Sequence, residues 1–119
     1  MSKSNVLKLG RIEDLFSALV PEEKASVISH GVALRLSDLQ KRLFLAKSKV
    51  QRFEDKYHTT LEELDAQRLP NDASYEMHED YIMWHHWAEV VGETKDRIAS
   101  LQEIADQGLY AGEISGAGH

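Results

Sequence analysis

The stretch Leu36-Ser-Asp-Leu-Gln-Lys-Arg-Leu-Phe-Leu-Ala-Lys-Ser-Lys-Val-Gln-Arg-Phe-Glu-Asp-Lys-Tyr57 decides the fold. Within it Leu36, Leu39, Leu43, Ala46, Val50, Phe53 and Tyr57 advance by alternating steps of three and four. That rhythm keeps apolar side chains on one seam of an α-helix, as in a coiled coil. A second seam follows. Met77, Tyr81, Trp84, Ala88 and Val91 step by four and three, the row is interrupted at Lys95, and it resumes at Ile98. Two such seams joined by a short linker predict an antiparallel pair. The expected fold is therefore all-α, an antiparallel long-helix hairpin of about 22–57 and 74–105, preceded by a short N-terminal helix.

Outward from the hairpin, Ile12, Leu15, Phe16 and Leu19 share a helical face, which predicts a short helix over Arg11–Leu19. Residues 1–10 carry only a weak pattern. Pro21 suits the first position of the next helix, where its missing N–H costs nothing, and Glu22 and Glu23 suit its first turn. Gly31 is where a bend would fall. Thr60 followed by Glu63 reads as a capping box and predicts a short helix over Leu61–Gln67. Leu69-Pro70-Asn71-Asp72 reads as a turn, and Ser74 or Asp72 as the cap of the last helix. Four of the seven glycines (Gly108, Gly112, Gly116, Gly118) crowd the end of the chain. Residues 1–107 are expected to form a single helical domain and 108–119 a mobile tail.

The seams do not use all the apolar residues. Leu34 and Leu45 lie off the first seam. Met83, Trp87 and Val90 make a second row on the last helix, wider than one facing helix would bury. Covering them calls for the N-terminal helix, another protein or a second copy of the chain. In the last case Leu34, Leu45, Met83, Trp87 and Val90 would form the oligomer interface of a dimeric helical bundle.

Charge is divided along the chain. Residues 1–57 hold 11 Lys/Arg against 7 Asp/Glu, whereas residues 58–119 hold 3 against 13, within a net charge of −6. One reading is that a basic arm complements an acidic arm. The other is that Glu62, Glu63, Asp65, Asp72, Glu76, Glu79 and Asp80 steer a basic protein into contact. Direct nucleic-acid binding is disfavoured, because affinity for phosphate comes from clustered positive charge. With no apolar run near the roughly 18 residues of a membrane span and no apolar leader, the expected location is the cytoplasm.

Candidate chemistry is sparse. The 119 residues include no cysteine, so thiolate metal sites and cysteine nucleophiles are excluded. His85 and Glu89 stand four apart, near His78, on one helix face. There is neither a Glu-x-x-His nor a His-Glu-x-x-His motif, and no metal or other cofactor is expected. No phosphate loop or nucleophile elbow occurs, and an enzyme is not expected. The aromatic cluster Tyr75, Tyr81, Trp84 and Trp87 is open to two readings, as core or as contact residues, since tryptophan is enriched at binding hot spots.

Three segments together carry a family likeness: Val50-Gln-Arg-Phe-Glu-Asp-Lys-Tyr57, then His58-Thr-Thr-Leu-Glu-Glu-Leu64, then Tyr75-Glu-Met-His-Glu-Asp-Tyr-Ile-Met-Trp84. Over residues 45–95 the chain resembles small helical prokaryotic proteins encoded beside toxin genes and read as antitoxins. It departs from them at His58, where glycine is usual, and at His85, where an acidic residue is usual. The resemblance implies an inhibitor of a toxin with a basic active site. Glu76, Glu79, Asp80, Tyr81, Trp84 and Trp87 are the expected partner-binding residues.

Overall fold

A computed structural model describes the backbone of residues 2–117 and the side chains of residues 10–107. Among the described residues there are four helices and no strand: α1 (Ser2–Ser17), α2 (Pro21–Tyr57), α3 (Leu61–Gln67) and α4 (Tyr75–Ala117). The chain divides into two compact units, one of Leu36–Ser100 and one of Met1–Arg35 with Leu101–His119.

Pro21 opens α2, with Glu22 and Glu23 behind it in the first turn. The N–H groups of Glu23 and Lys24 both donate to the Val20 carbonyl at 3.0 Å, which starts the helix around the proline. No break falls at Gly31. A Cβ there would meet nothing within 4 Å, so the glycine is not a point of close approach. The helix ends at Tyr57, and His58 takes a left-handed conformation with φ 53°. This conformation commonly closes a helix, and glycine adopts it most cheaply.

Both short-range caps form, one of them incompletely. The Thr60 hydroxyl oxygen accepts from the Glu63 N–H at 3.1 Å. The Glu63 carboxylate accepts from the Thr59 hydroxyl at 2.9 Å. It does not return to Thr60 as a full capping box would have it. Arg68 ends α3 with φ 66° and ψ 160°, its N–H donating to the Leu64 carbonyl at 2.7 Å. At the start of α4 it is Ser74, not Asp72, that caps, accepting from the Met77 N–H at 3.1 Å.

Within residues 36–100, α2 and α4 pack along the expected seam of α2, where Leu39 and Ala46 are buried and Leu36, Leu43, Val50, Phe53 and Tyr57 half-buried. Trp84 is fully buried and stacks on two residues one helical turn apart. Its ring centroid lies 5.8 Å from Phe53 and 6.0 Å from Tyr57. Burial of a side chain this large, with two stacked neighbours, makes it the chief anchor of the hairpin. Leu64 of α3 completes the buried set at the bend.

Three expectations about the helices are corrected. The seam of α4 is not interrupted at Lys95. It runs Trp84, Trp87, Val91, Thr94 and Ile98 in steps of three and four. Thr94 is 2% exposed, and Lys95 faces solvent beside the seam. Thr94 is polar by type, so a search for apolar residues passes over it. Secondly, α4 runs to Ala117 instead of stopping near 105. Glycine weakens a helix by about 1 kcal/mol relative to alanine but does not forbid it as proline does. The side chains of 108–117 and all of 118–119, where a tail was expected, lie outside the described residues. Finally, α1 begins at Ser2 and not at Arg11.

In the other unit, Val32 is buried, while Phe16, Ile28 and Ala105 are half-buried. Ile12, Leu15, Leu19 and Val27 are exposed.

Candidate functional site

The bend end of the hairpin gathers most of the residues singled out by sequence. Asp80 and Tyr81 are consecutive on α4 and so point about 100° apart. Each is drawn to a different helix. The Lys56 ammonium of α2 donates to Asp80 and to Glu76, both at 2.6 Å. The Tyr57 hydroxyl donates to the same Asp80 oxygen at 2.5 Å. On the other side, Asp65 of α3 accepts from the Tyr81 hydroxyl and lies 2.8 Å from Nε2 of His85. The imidazole stands edge-on to the Tyr81 ring, with centroids 4.7 Å apart.

These partners set the titration of the site. The lysine and the tyrosine donors hold the Asp80 carboxyl below the usual carboxylate range. The same bonds, first to Asp80 and then to Glu76, push the Lys56 ammonium up. Burial, followed by the bond to Asp80, pushes the Tyr57 phenol up. The Tyr81 phenol, ahead of His85, pulls Asp65 down, and Asp65 in turn pushes Tyr81 up. The two clusters are ties between helices. One joins α2 to α4, and the other joins α3 to α4.

The expected partner-binding set therefore comes apart. Trp84 is core and cannot meet a partner without unfolding the hairpin. Its indole Nε1–H is buried with no hydrogen-bond partner. Asp80 and Glu76 are engaged by Lys56, and Tyr81 by Asp65. Tyr81 was also expected to face the α2 seam, and its hydroxyl is turned to α3 instead. Glu79, the half-buried Trp87 and the outer side of Glu76, whose side chain is 73% exposed, keep a free face. The Lys49 ammonium lies 6.0 Å from the Trp87 ring, a long cation–π approach.

The expected oligomer set also divides. Val90 is 5% exposed, so the chain itself covers it and it leaves that set. Leu34, Leu45 and Met83 remain 69%, 49% and 43% exposed. Phe44 at 75% and Ile82 at 64% are exposed apolar residues that seam counting missed. Each flanks a residue already flagged, and their position on the outer side of the helix was the available signal. His85 pairs with Asp65, not with His78 and Glu89. Among the described residues no group of three or more histidine or acidic side chains is placed to hold a metal ion. No described helix is long and apolar enough to cross a membrane.

Comparison with protein families, with characterised proteins and with solved structures returned no match.

Proposed function

We propose that the protein is a non-enzymatic, antitoxin-like binding module that occludes a basic partner protein. The carrying observation is the acid left over at the bend. Lys56 neutralises part of Glu76 and Asp80, and His85 and Tyr81 engage Asp65. Glu62, Asp72 and Glu79 are exposed, and among the described residues none of them takes part in an ion pair. Unpaired acid on such a surface accelerates encounter with a positive partner and disfavours nucleic acid. The likeness of residues 50–64 and 75–84 to antitoxins supports the same reading, and so does the use of the bend's hydrogen-bonding groups on one another.

The test is capture of partner proteins on the immobilised chain, repeated with a variant carrying Glu62→Lys, Asp72→Lys and Glu79→Lys. None of these residues ties two helices together, so the variant should keep its helical circular dichroism. A stoichiometric basic protein held by the parent and lost by the variant is the expected outcome. Equal retention by both would remove the electrostatic reading.

A further inference from the structure

We propose that the outward face of α2 between Leu39 and Phe53 docks on an anionic lipid bilayer, lying on its surface without crossing it. The stretch Leu39-Gln-Lys-Arg-Leu-Phe-Leu-Ala-Lys-Ser-Lys-Val-Gln-Arg-Phe53 holds Lys41, Arg42, Lys47, Lys49 and Arg52 and no Asp or Glu. Its apolar seam is already used on α4, with Leu39 and Ala46 buried and Leu43, Val50 and Phe53 half-buried. At about 100° per residue, Lys41, Phe44, Ser48 and Arg52 lie within about 40° of the direction opposite that seam, and Leu45 within about 60°. Arg42 and Lys47 stand toward the two edges, from which their long side chains reach forward. This face is open. Phe44 is 75% and Leu45 49% exposed, and Lys41, Arg42, Lys47 and Arg52 are exposed as well. Among the described residues, no ion pair engages any of the five cations.

Charge and apolar character together name the occupant. Cations attract any polyanion, but a phosphate backbone is gripped by charged and hydrogen-bonding groups. Leu45 would add nothing to that grip, and Phe44 at most one stacked base. A bilayer rewards both kinds of residue. Its anionic headgroups attract Lys and Arg, and large apolar side chains beside them enter the boundary between headgroups and acyl chains. The chain's own acid does not cancel the attraction. The Lys49–Trp87 contact sets the level of the two antiparallel helices and places Glu89, Glu93 and Asp96 of α4 alongside this stretch. All three are exposed, and they point within about 40° of the direction away from the α4 seam, so they lie on the far side of the hairpin. Packed helix axes are about 8–10 Å apart and the side chains add to that distance, whereas the Debye length is about 8 Å at physiological salt. Asp38 and Asp55 bound the patch at its two ends, and Asp55 accepts from the Gln51 amide at 2.9 Å. With only two apolar anchors, the attachment is reversible and sensitive to salt.

The test is flotation of the full chain with vesicles of phosphatidylcholine alone and of phosphatidylcholine with about one third phosphatidylserine. No protein partner is present, so the outcome is independent of the proposed binding of a basic protein. The chain should float with the anionic vesicles and not with the neutral ones, and should be released as salt rises toward about 0.5 M. Lys41→Glu with Arg52→Glu should lower the partition coefficient about tenfold or more, since each basic residue near an anionic surface contributes roughly fivefold to binding. Phe44→Ser with Leu45→Ser should lower it by a similar factor, about tenfold. All four side chains are exposed, so both variants should keep the parent's helical circular dichroism. A parent that does not float with anionic vesicles overturns the proposal, and so does flotation unmoved by either double substitution. Binding of a duplex or single-stranded oligonucleotide in place of the anionic vesicles also overturns it and reassigns the face to nucleic acid.

Discussion

Residues 36–100 and the unit formed by residues 1–35 with 101–119 are both built from apolar residues at helical spacing, yet they bury them very differently. In the first unit the α2 seam is buried or half-buried along its length, and the seam residue Trp84 is closed in by Phe53 and Tyr57. In the second, Ile12, Leu15, Phe16 and Leu19 share one face of a helix as regularly as any residues in the chain, yet only Phe16 is half-buried and the other three are exposed. Periodicity states which side chains share a face. Burial requires a second element whose own side chains fill the gaps, as α2 and α4 supply to each other within residues 36–100.

The largest expected effect tests that contrast directly. Trp84→Ala should cost about 3–5 kcal/mol of unfolding free energy in urea titrations, because it removes a fully buried side chain and leaves a cavity. The same truncation at Leu15 should cost less than about 0.5 kcal/mol. Similar losses at the two positions would mean that the difference in burial does not carry the stability.

A smaller effect is expected from Asp80→Asn, which removes the charge tie between α2 and α4. The carboxylate is mostly buried at the edge of the hairpin, and losing its charge-assisted bonds should cost roughly 1–2 kcal/mol near neutrality. The sign with pH follows from its depressed pKa. The contribution is fully present above the usual carboxylate range and is lost as the pH falls through the folded-state value. Melting curves of parent and variant should therefore differ at pH 7 and converge in strong acid. A constant gap between them would assign the loss to packing.

The smallest expected effect is a gain. His58 holds φ 53°, a conformation that costs a side-chain-bearing residue free energy and glycine almost none. His58→Gly should stabilise the bend by up to about 1 kcal/mol, measured by chemical denaturation. A loss instead would show that the imidazole makes a stabilising contact at the α2 terminus.

Legibility followed the range of the interactions. The bounds of α3 over Leu61–Gln67 and the end of α2 at Tyr57 were readable, because a Thr60 cap and the end of a heptad row are encoded within a few residues. The continuation of the α4 seam through Thr94 was missed, because the residue is polar yet buried, and Asp80 was not read as a seam position because its charge is met by Lys56 from the other helix. The tie of Tyr81 and His85 to Asp65 had no signal in the chain, since it depends on where α3 comes to rest.

Spacing and capping, which act within one or two helical turns, were enough by themselves to determine an all-helical chain with a long hairpin and a short helix at its bend. Tertiary structure alone decided that Trp84 is core and not contact, that Val90 is covered, that Asp80 is drawn to Lys56 and shares it with Glu76, and that Leu45 and Met83 are left open. The physical reason is that a side chain's exposure and charge depend on what faces it from a segment distant in sequence, and neither spacing nor composition records that.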